Sequence, residues 1–237
     1  MNAAISIENL IVNYGEKAII HNFNLSIPQN IFLAIVGHNG CGKSTLLKTI
    51  SGLQKANDGV IKVLKKEISL YKNVYKEGVI SVLSQSNQIG FDIKVKELLL
   101  MGRHRFSTFF SNYSTKDLEE VNKIALELDI HSFLEKSFLE LSGGEQQLIL
   151  FAQTILQDTK VIILDEPTQN LDIKNGYKII QYLDRLVKEK QKTVIISTHD
   201  LHHLSNVEGQ MLNMSSNLDL EKISTESIAK NVKLLRA

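Results

Sequence analysis

The sequence predicts an α/β fold built on a mostly parallel central sheet and interrupted by a block of helices. Three observations carry this. Short, continuously apolar runs recur in "NIFLAIVG", "KVIILDE" and "KTVIISTHD", the pattern of strands buried on both faces. Segments of helical spacing alternate with them, and strand–helix–strand alternation implies parallel pairing with right-handed crossovers. From about residue 93 to residue 157 the strand pattern gives way to helical periodicity alone.

The elements follow in order. "AISIENLIVNYG" mixes alternation with β-branched residues and is predicted as a strand. "AIIHNFNLSIP" is a second strand, with Ile20, Phe23, Leu25 and Ile27 as its core residues. "NIFLAIVG" is the first fully buried strand, and "KSTLLKTISGL" is a helix that closes at Gly52. "GVIKVL" and "EGVISVLSQ" are further strands, after which "KVKELLLMG", "STKDLEEVNKIALELDI" and "GGEQQLILFAQTILQ" are helical. Ser114 or Thr115 caps the second of these, with Asp117 and Glu119 in its acidic first turn. A strand at "KVIILDE", a helix at "KNGYKIIQYLDRLVKEK" and a strand at "KTVIISTHD" come next. Beyond Leu204, "QMLNM" is expected as the last strand and "TESIAKNVKLL" as a short terminal helix.

Composition narrows the class. With 237 residues and 43% hydrophobic content, the chain can bury a sizeable core. A net charge of +1 argues against a generally basic surface, so no nucleic-acid partner is expected. The single cysteine excludes an internal disulfide framework. "MNAAISIENL" lacks a basic leader and does not read as a signal peptide. No apolar run approaches the ~20 residues that span a bilayer. The expectation is a cytoplasmic protein that serves a membrane, if at all, as a peripheral partner.

"GHNGCGKST" matches G-x4-G-K-[ST] between a buried strand and a helix. Backbone N–H groups hold phosphate oxygens well because they are fixed donors, and glycines let the backbone come close. Gly37, His38, Asn39, Gly40, Cys41, Gly42, Lys43, Ser44 and Thr45 are therefore the candidate ATP cradle. The helix starting near Lys43 adds its positive end. Lys43 supplies a full charge to the β and γ phosphates, and Ser44 offers a hydroxyl to Mg2+. Cys41 is taken as a small residue filling a loop position rather than as a redox centre.

"VIILDEPT" places Asp165 and Glu166 at the carboxyl end of an apolar strand, where such sheets bind ligands. The first can hold Mg2+ and the second can polarise an attacking water. "LSGGEQQ" brings Ser142, Gly143 and Gly144 to another helix start, a second place to receive phosphate. One ATP does not need two such sites from one chain, so the second suits the ATP of another molecule.

With "NLD" and "STHD", these motifs stand in the order of the ATPase subunits of ABC transporters, which the chain resembles over nearly its whole length. The resemblance implies a single P-loop NTPase domain with an N-terminal antiparallel β-subdomain and an inserted α-helical subdomain. Residues 1–85 and 159–237 would form the nucleotide-binding core with the β-subdomain, and 86–158 the insert. It implies a head-to-tail homodimer with two ATP, each between one subunit's phosphate loop and the other's "LSGGE". Tyr14 would then stack on adenine. Gln85 would contact Mg2+ and link to the helices. Ser142 and Gly144 would touch the partner's γ-phosphate, and Asp172 would lie in the loop crossing the dimer. The catalytic set would be Glu166 as general base, His199 on the γ-phosphate, Lys43 and Gln85, with Ser44, Gln85 and Asp165 toward the metal. His202 and His203 match nothing in the family and are expected on a helix surface. Leu148 and Gln153 stand where the family commonly has arginine.

"KVKELLLMGRHRFSTFF" followed by "STKD" resembles the region after the glutamine loop in importers of iron–siderophore, haem and cobalamin complexes. Zinc and manganese importers carry a similar "MGR". The resemblance implies transmembrane permease subunits as partners and, through them, a substrate-binding protein. Arg103, Arg105, Phe106, Phe109 and Phe110 lie together as an expected docking patch, with at least two of them surface-accessible close to the groove near Gln85 that receives the permease's coupling helix. The alternatives are a zinc or manganese importer ATPase, or a soluble ABC ATPase such as one in iron–sulfur cluster assembly.

Overall fold

A computed structural model describes residues 2–85, 89–106, 113–215 and 220–236. Strands β1 (Ala3–Tyr14) and β2 (Lys17–Pro28) make a long antiparallel hairpin. β3 (Phe32–Val36) then enters the centre of the molecule and leads to α1 (Lys43–Ile50). β4 (Asp58–Val63) and β5 (Lys66–Glu67) return to β1, giving a four-stranded antiparallel sheet of order β2-β1-β4-β5. β6 (Ile80–Leu83) precedes the helices α2 (Val95–Met101), α3 (Thr115–Glu127) and α4 (Gly143–Leu156). β7 (Val161–Asp165), α5 (Ile173–Lys190) and β8 (Thr193–Ser197) follow. β9 (Gln210–Asn213), β10 (Leu220–Lys222) and α6 (Thr225–Arg236) complete the described chain.

The second sheet has the order β10-β9-β3-β8-β7-β6, parallel throughout except for β10 at its edge. Every residue of β3, β7 and β8 is buried, as their unbroken apolar runs require. The period of two along a strand divides these residues between two cores. Leu33, Ile35, Ile163 and Ile195 face α1 and the antiparallel sheet. Phe32, Ala34, Ile162, Leu164 and Ile196 belong with the apolar faces of α2 to α5. The parallel sheet is thus covered on both faces, and its carboxyl ends converge on the loop after β3 and the turn after β7.

Short local signals set the helix starts. Ser114 caps α3 in a reciprocal box with Asp117, Ser142 caps α4 in the same way with Glu145, and Asp172 caps α5. The structure adds β5 and a 3-10 turn at Ile68–Leu70, both too short for periodicity to reveal. It also shows that β9 is not the last strand, since β10 pairs with it. Among the described residues no helix is long and apolar enough to cross a membrane.

Two expectations need correction. His203 is not on a helix surface. It is buried against Tyr177, with ring centroids 4.8 Å apart, in space that α5 leaves open at Gly176. A Cβ at Gly176 would lie 2.6 Å from the His203 ring. Arg103 is not a docking residue either, being only 6% exposed. Its Nε donates to Asp117 Oδ1 at 3.0 Å and its guanidinium to the Leu156 carbonyl at 3.1 Å, joining the end of α2 to α3 and α4. Arg105 is half-buried and donates to the Asp158 carbonyl at 3.0 Å. Phe106 is exposed, with the Arg103 and Arg105 guanidinium carbons 3.8 and 4.1 Å from its ring centroid. Phe109 and Phe110 lie outside the described residues.

Candidate active site

The loop from β3 to α1 wraps tightly because glycines stand where the backbone turns left-handed. Gly42 has φ +102 and caps α1, where a Cβ would sit 3.1 Å from the Ile19 side chain. At Gly37, φ +153, a Cβ would meet Cys41 Sγ at 2.6 Å. Lys43 at the start of α1 is buried, and its Nζ donates to the carbonyls of Gly37 at 2.8 Å and His38 at 3.2 Å. The ammonium is thus folded back over its own loop and held by neutral acceptors.

Lys43 lines a cavity of about 500 Å3 together with Lys17, Ile19, Asn39, Gly40, Gly42, Ser44, Thr45, Gln85 and Glu166. A larger cavity of about 720 Å3 lies elsewhere, between α3, the end of α4 and α5. Chemistry, not size, marks the smaller one, because there Lys43 and Ser44 of the phosphate loop meet Gln85 and Glu166. The Gln85 amide donates to Gln169 Oε1 at 3.2 Å. Cys41 is a free, half-buried thiol within the loop.

Glu166 follows β7 and is 6% exposed, with the strained φ of +53 for a residue that carries a side chain. Ser197 explains how this turn is held. The parallel register sets Ser197 beside Asp165. Its Oγ donates to Asp165 Oδ1 at 2.5 Å and accepts from the Glu166 N–H at 3.0 Å. One hydroxyl therefore orients both acidic residues. Glu166 Oε2 is 2.8 Å from His199 Nδ1, and the His199 side chain is 60% exposed. His199 lines an adjoining cavity with Gly37, His38, Asn39, His202 and Val232, and Asn39 is common to both.

The other sequence candidates lie around this centre. Asp165 is buried and does not line the cavity. Tyr14 is 52% exposed and off the wall as well, its hydroxyl donating to Gln54 Oε1 at 2.6 Å, while Lys17, its partner across the hairpin, lines the cavity. Asp172 accepts from the Asn175 backbone N–H at 2.8 Å. Ser142, Gly143 and Gly144 are not on the cavity wall. Their helix start packs on the chain after Glu166 instead. A Cβ at Gly144 would be 2.9 Å from the Asn170 carbonyl, and the Gln147 amide donates to the Pro167 carbonyl at 3.3 Å. The Ser142 hydroxyl and backbone N–H hold the Glu145 carboxyl below its ordinary pKa. Leu148 is buried, and the Gln153 amide donates to the Leu98 carbonyl at 3.0 Å, tying α4 to α2.

Sequence reasoning did not single out Lys17, Ile19 or Ser197 for this centre. Ser197 carried a usable signal, because it precedes His199 by two residues in "STHD" and shares a level of the sheet with Asp165. Lys17 and Ile19 carried none, since they reach the cavity from the other sheet.

A phosphate-binding loop facing a glutamate and a histidine at the carboxyl ends of a parallel sheet defines a P-loop nucleotide triphosphatase. The chain matches the family model described as ABC transporter over residues 20–169, and it belongs to that family. It is 32% identical over 211 residues to the iron(3+)-hydroxamate import ATP-binding protein of Bacillus subtilis (strain 168), covering 88% of this chain and 78% of that one. It is 33% identical over 202 residues to the petrobactin import ATP-binding protein of Bacillus anthracis, covering 85% and 74%. Its fold matches the dimeric structure of a bacterial ABC transporter cassette with a TM-score of 0.81 at 27% identity, over 92% of this chain and 98% of that one. The chain is an ATP-binding cassette and an ATPase.

Proposed function

We propose that this ATPase powers an importer of an iron chelate, working as a head-to-tail pair with a second copy of itself beneath transmembrane permease subunits, with a substrate-binding protein delivering the cargo. The observation that carries the reading is the Glu166–His199 contact beside the cavity that holds Lys43, Ser44 and Gln85, with Ser142 to Gly144 away from that cavity. Such a centre has what water attack needs and leaves a second phosphate-receiving helix start for a partner. The cargo half rests on relatives named for importing iron(3+)-hydroxamate and petrobactin.

In this reading Lys43 and the loop N–H groups bind the β and γ phosphates, and Tyr14 covers the adenine. Ser44 and Gln85 line the cavity and offer oxygen donors, and the buried Asp165 carboxylate precedes Glu166 at the end of β7. This is a hard-oxygen set that fits Mg2+. Among the described residues no three His, Cys, Asp or Glu side chains cluster to hold a metal alone, which suits an ion that arrives with its nucleotide. Bound Mg2+ would neutralise charge building on the phosphates. Glu166 accepts the proton of the attacking water, and His199 holds Glu166 in place while reaching the γ-phosphate. Ser142, Gly143 and Gly144 close on the partner's ATP, and Asp172 sits in the crossing loop. Residues 86–158 form the inserted subdomain that passes the closure on, and exposed Phe106 marks the face where the permease docks.

The test is transport. In vesicles holding the chain with its permease, ATP should drive uptake of an iron(3+) chelate. Uptake of free Zn2+ or Mn2+ instead would assign a different importer. An active ATPase that never associates with a membrane subunit would assign a soluble role.

A further inference from the structure

The Gly37–His38 peptide is held at both ends. Its carbonyl accepts from Lys43 Nζ at 2.8 Å, and its N–H donates to Ser215 Oγ at 2.9 Å. A trans peptide directs these two groups to opposite sides of one rigid plane. Ser215 and Lys43 therefore grip the same unit from opposite edges. Gly37 allows the approach, since a Cβ there would lie 2.9 Å from Ser215 Oγ.

Ser215 is itself anchored. Its N–H donates to Asn213 Oδ1 at 2.7 Å, which leaves the Asn213 amide nitrogen to donate to Asn231 Oδ1 at 2.5 Å. The Asn231 amide nitrogen donates in turn to the Ser227 carbonyl at 2.9 Å. The flanking backbone groups can only donate or only accept, so they settle the orientation of both amides. Asn213 is 4% exposed and Asn231 0%. Buried amides are costly unless fully bonded, and here each bond points the same way, from Lys43 toward α6. Chains of this kind polarise and stiffen their members. Val232, next to Asn231, lines the same cavity as His38, so α6 borders the space beside the phosphate loop.

We propose that Ser215, backed by Asn213 and Asn231, is a positioning residue for Lys43. It sets the Gly37–His38 peptide and thereby the place from which the ammonium meets the phosphates, which makes α6 part of the nucleotide site. The inference rests on the ATP reading of the cavity.

The test uses the full chain with Ser215→Ala, Ser215→Thr, Lys43→Ala and the Lys43→Ala/Ser215→Ala double variant. Affinity is read by ATP displacement of a fluorescent ATP analogue, and melting temperature is read alongside. Loss of one hydrogen bond should weaken ATP binding in Ser215→Ala by about 3- to 10-fold. Ser215→Thr, which keeps the hydroxyl, should restore it. In the Lys43→Ala background, Ser215→Ala should add less than about two-fold, because residues acting through one another are not additive. An equal loss in both backgrounds, or a lowered melting temperature with unchanged affinity, would overturn the proposal. A wild-type chain that does not bind the analogue would overturn the ATP reading itself, whereas normal wild-type binding with an unaffected Ser215→Ala variant overturns this inference alone.

Discussion

Lys43 and Arg103 each follow a glycine at the edge of a helix, and each is buried, 7% and 6% exposed. Lys43 rests on two carbonyls. Arg103 is clasped by the Asp117 carboxylate, the Leu156 carbonyl and the Phe106 ring. A carboxylate at 3.0 Å consumes the charge of its partner, while carbonyls satisfy hydrogens and leave the net charge intact. Lys43 can therefore offer a full charge to a phosphate, and Arg103 cannot. Burial is the same in the two places, so the nature of the partner separates a cation kept for a ligand from one used by the fold.

The largest expected effect tests the phosphate-loop side. Glu166→Gln should lower ATP turnover by ~10²–10⁴ while ATP still binds. Lys43→Ala should instead weaken ATP binding and change unfolding free energy by about 1 kcal/mol or less. Steady-state hydrolysis and equilibrium binding separate the two, and near-normal turnover in Glu166→Gln would remove it as the base.

Arg103→Ala tests the other side. It strands a buried carboxylate and should cost about 3–5 kcal/mol in denaturant unfolding. Full stability in that variant would dissolve the contrast. Acid sharpens it. Burial opposes the Asp117 charge, but hydrogen bonds from Ser114 and Arg103, with the Arg103 charge, hold its pKa below the ordinary value. A depressed carboxyl contributes stability above its unfolded pKa, about 3.9, and loses it as pH falls through the lower folded value. The stability gap between wild type and Asp117→Asn should therefore be widest near neutrality and close below about pH 4.

The smallest effect belongs to Phe106, which touches the same guanidinium from outside. Phe106→Ala should cost only about 0.5–1 kcal/mol of stability, the worth of an exposed cation–π contact. Its main consequence should be weaker co-purification with the permease. A loss of several kcal/mol would make Phe106 part of the core and remove it from the docking face.

How legible each feature was follows from the distance its cause spans. Ser114 and Ser142 as caps were within reach, because a cap is settled by residues three positions apart. The apolar runs of β3, β7 and β8 announced burial on both faces. His203 misled because its environment is a vacancy on α5, at a glycine far along the chain. Arg103 misled because "GRHRF" has the composition of an interface, and only the packing of α3 brings Asp117 against it.

The sequence by itself determined the parallel sheet, the phosphate loop, the acidic pair after β7 and the family. The first three rest on periodicity, φ preferences or N–H groups within a few residues of one another, and the family rests on a resemblance carried by the order of its motifs along the chain. Tertiary structure alone decided which polar groups are spent and which are spare. Ser197 orients Asp165 and Glu166 from 32 and 31 residues away, and Ser215 holds His38 across 177. Local chemistry can supply a donor or an acceptor, but the register of parallel strands and the seating of α6 choose its partner. That choice is made by packing distant segments, and no local pattern encodes it.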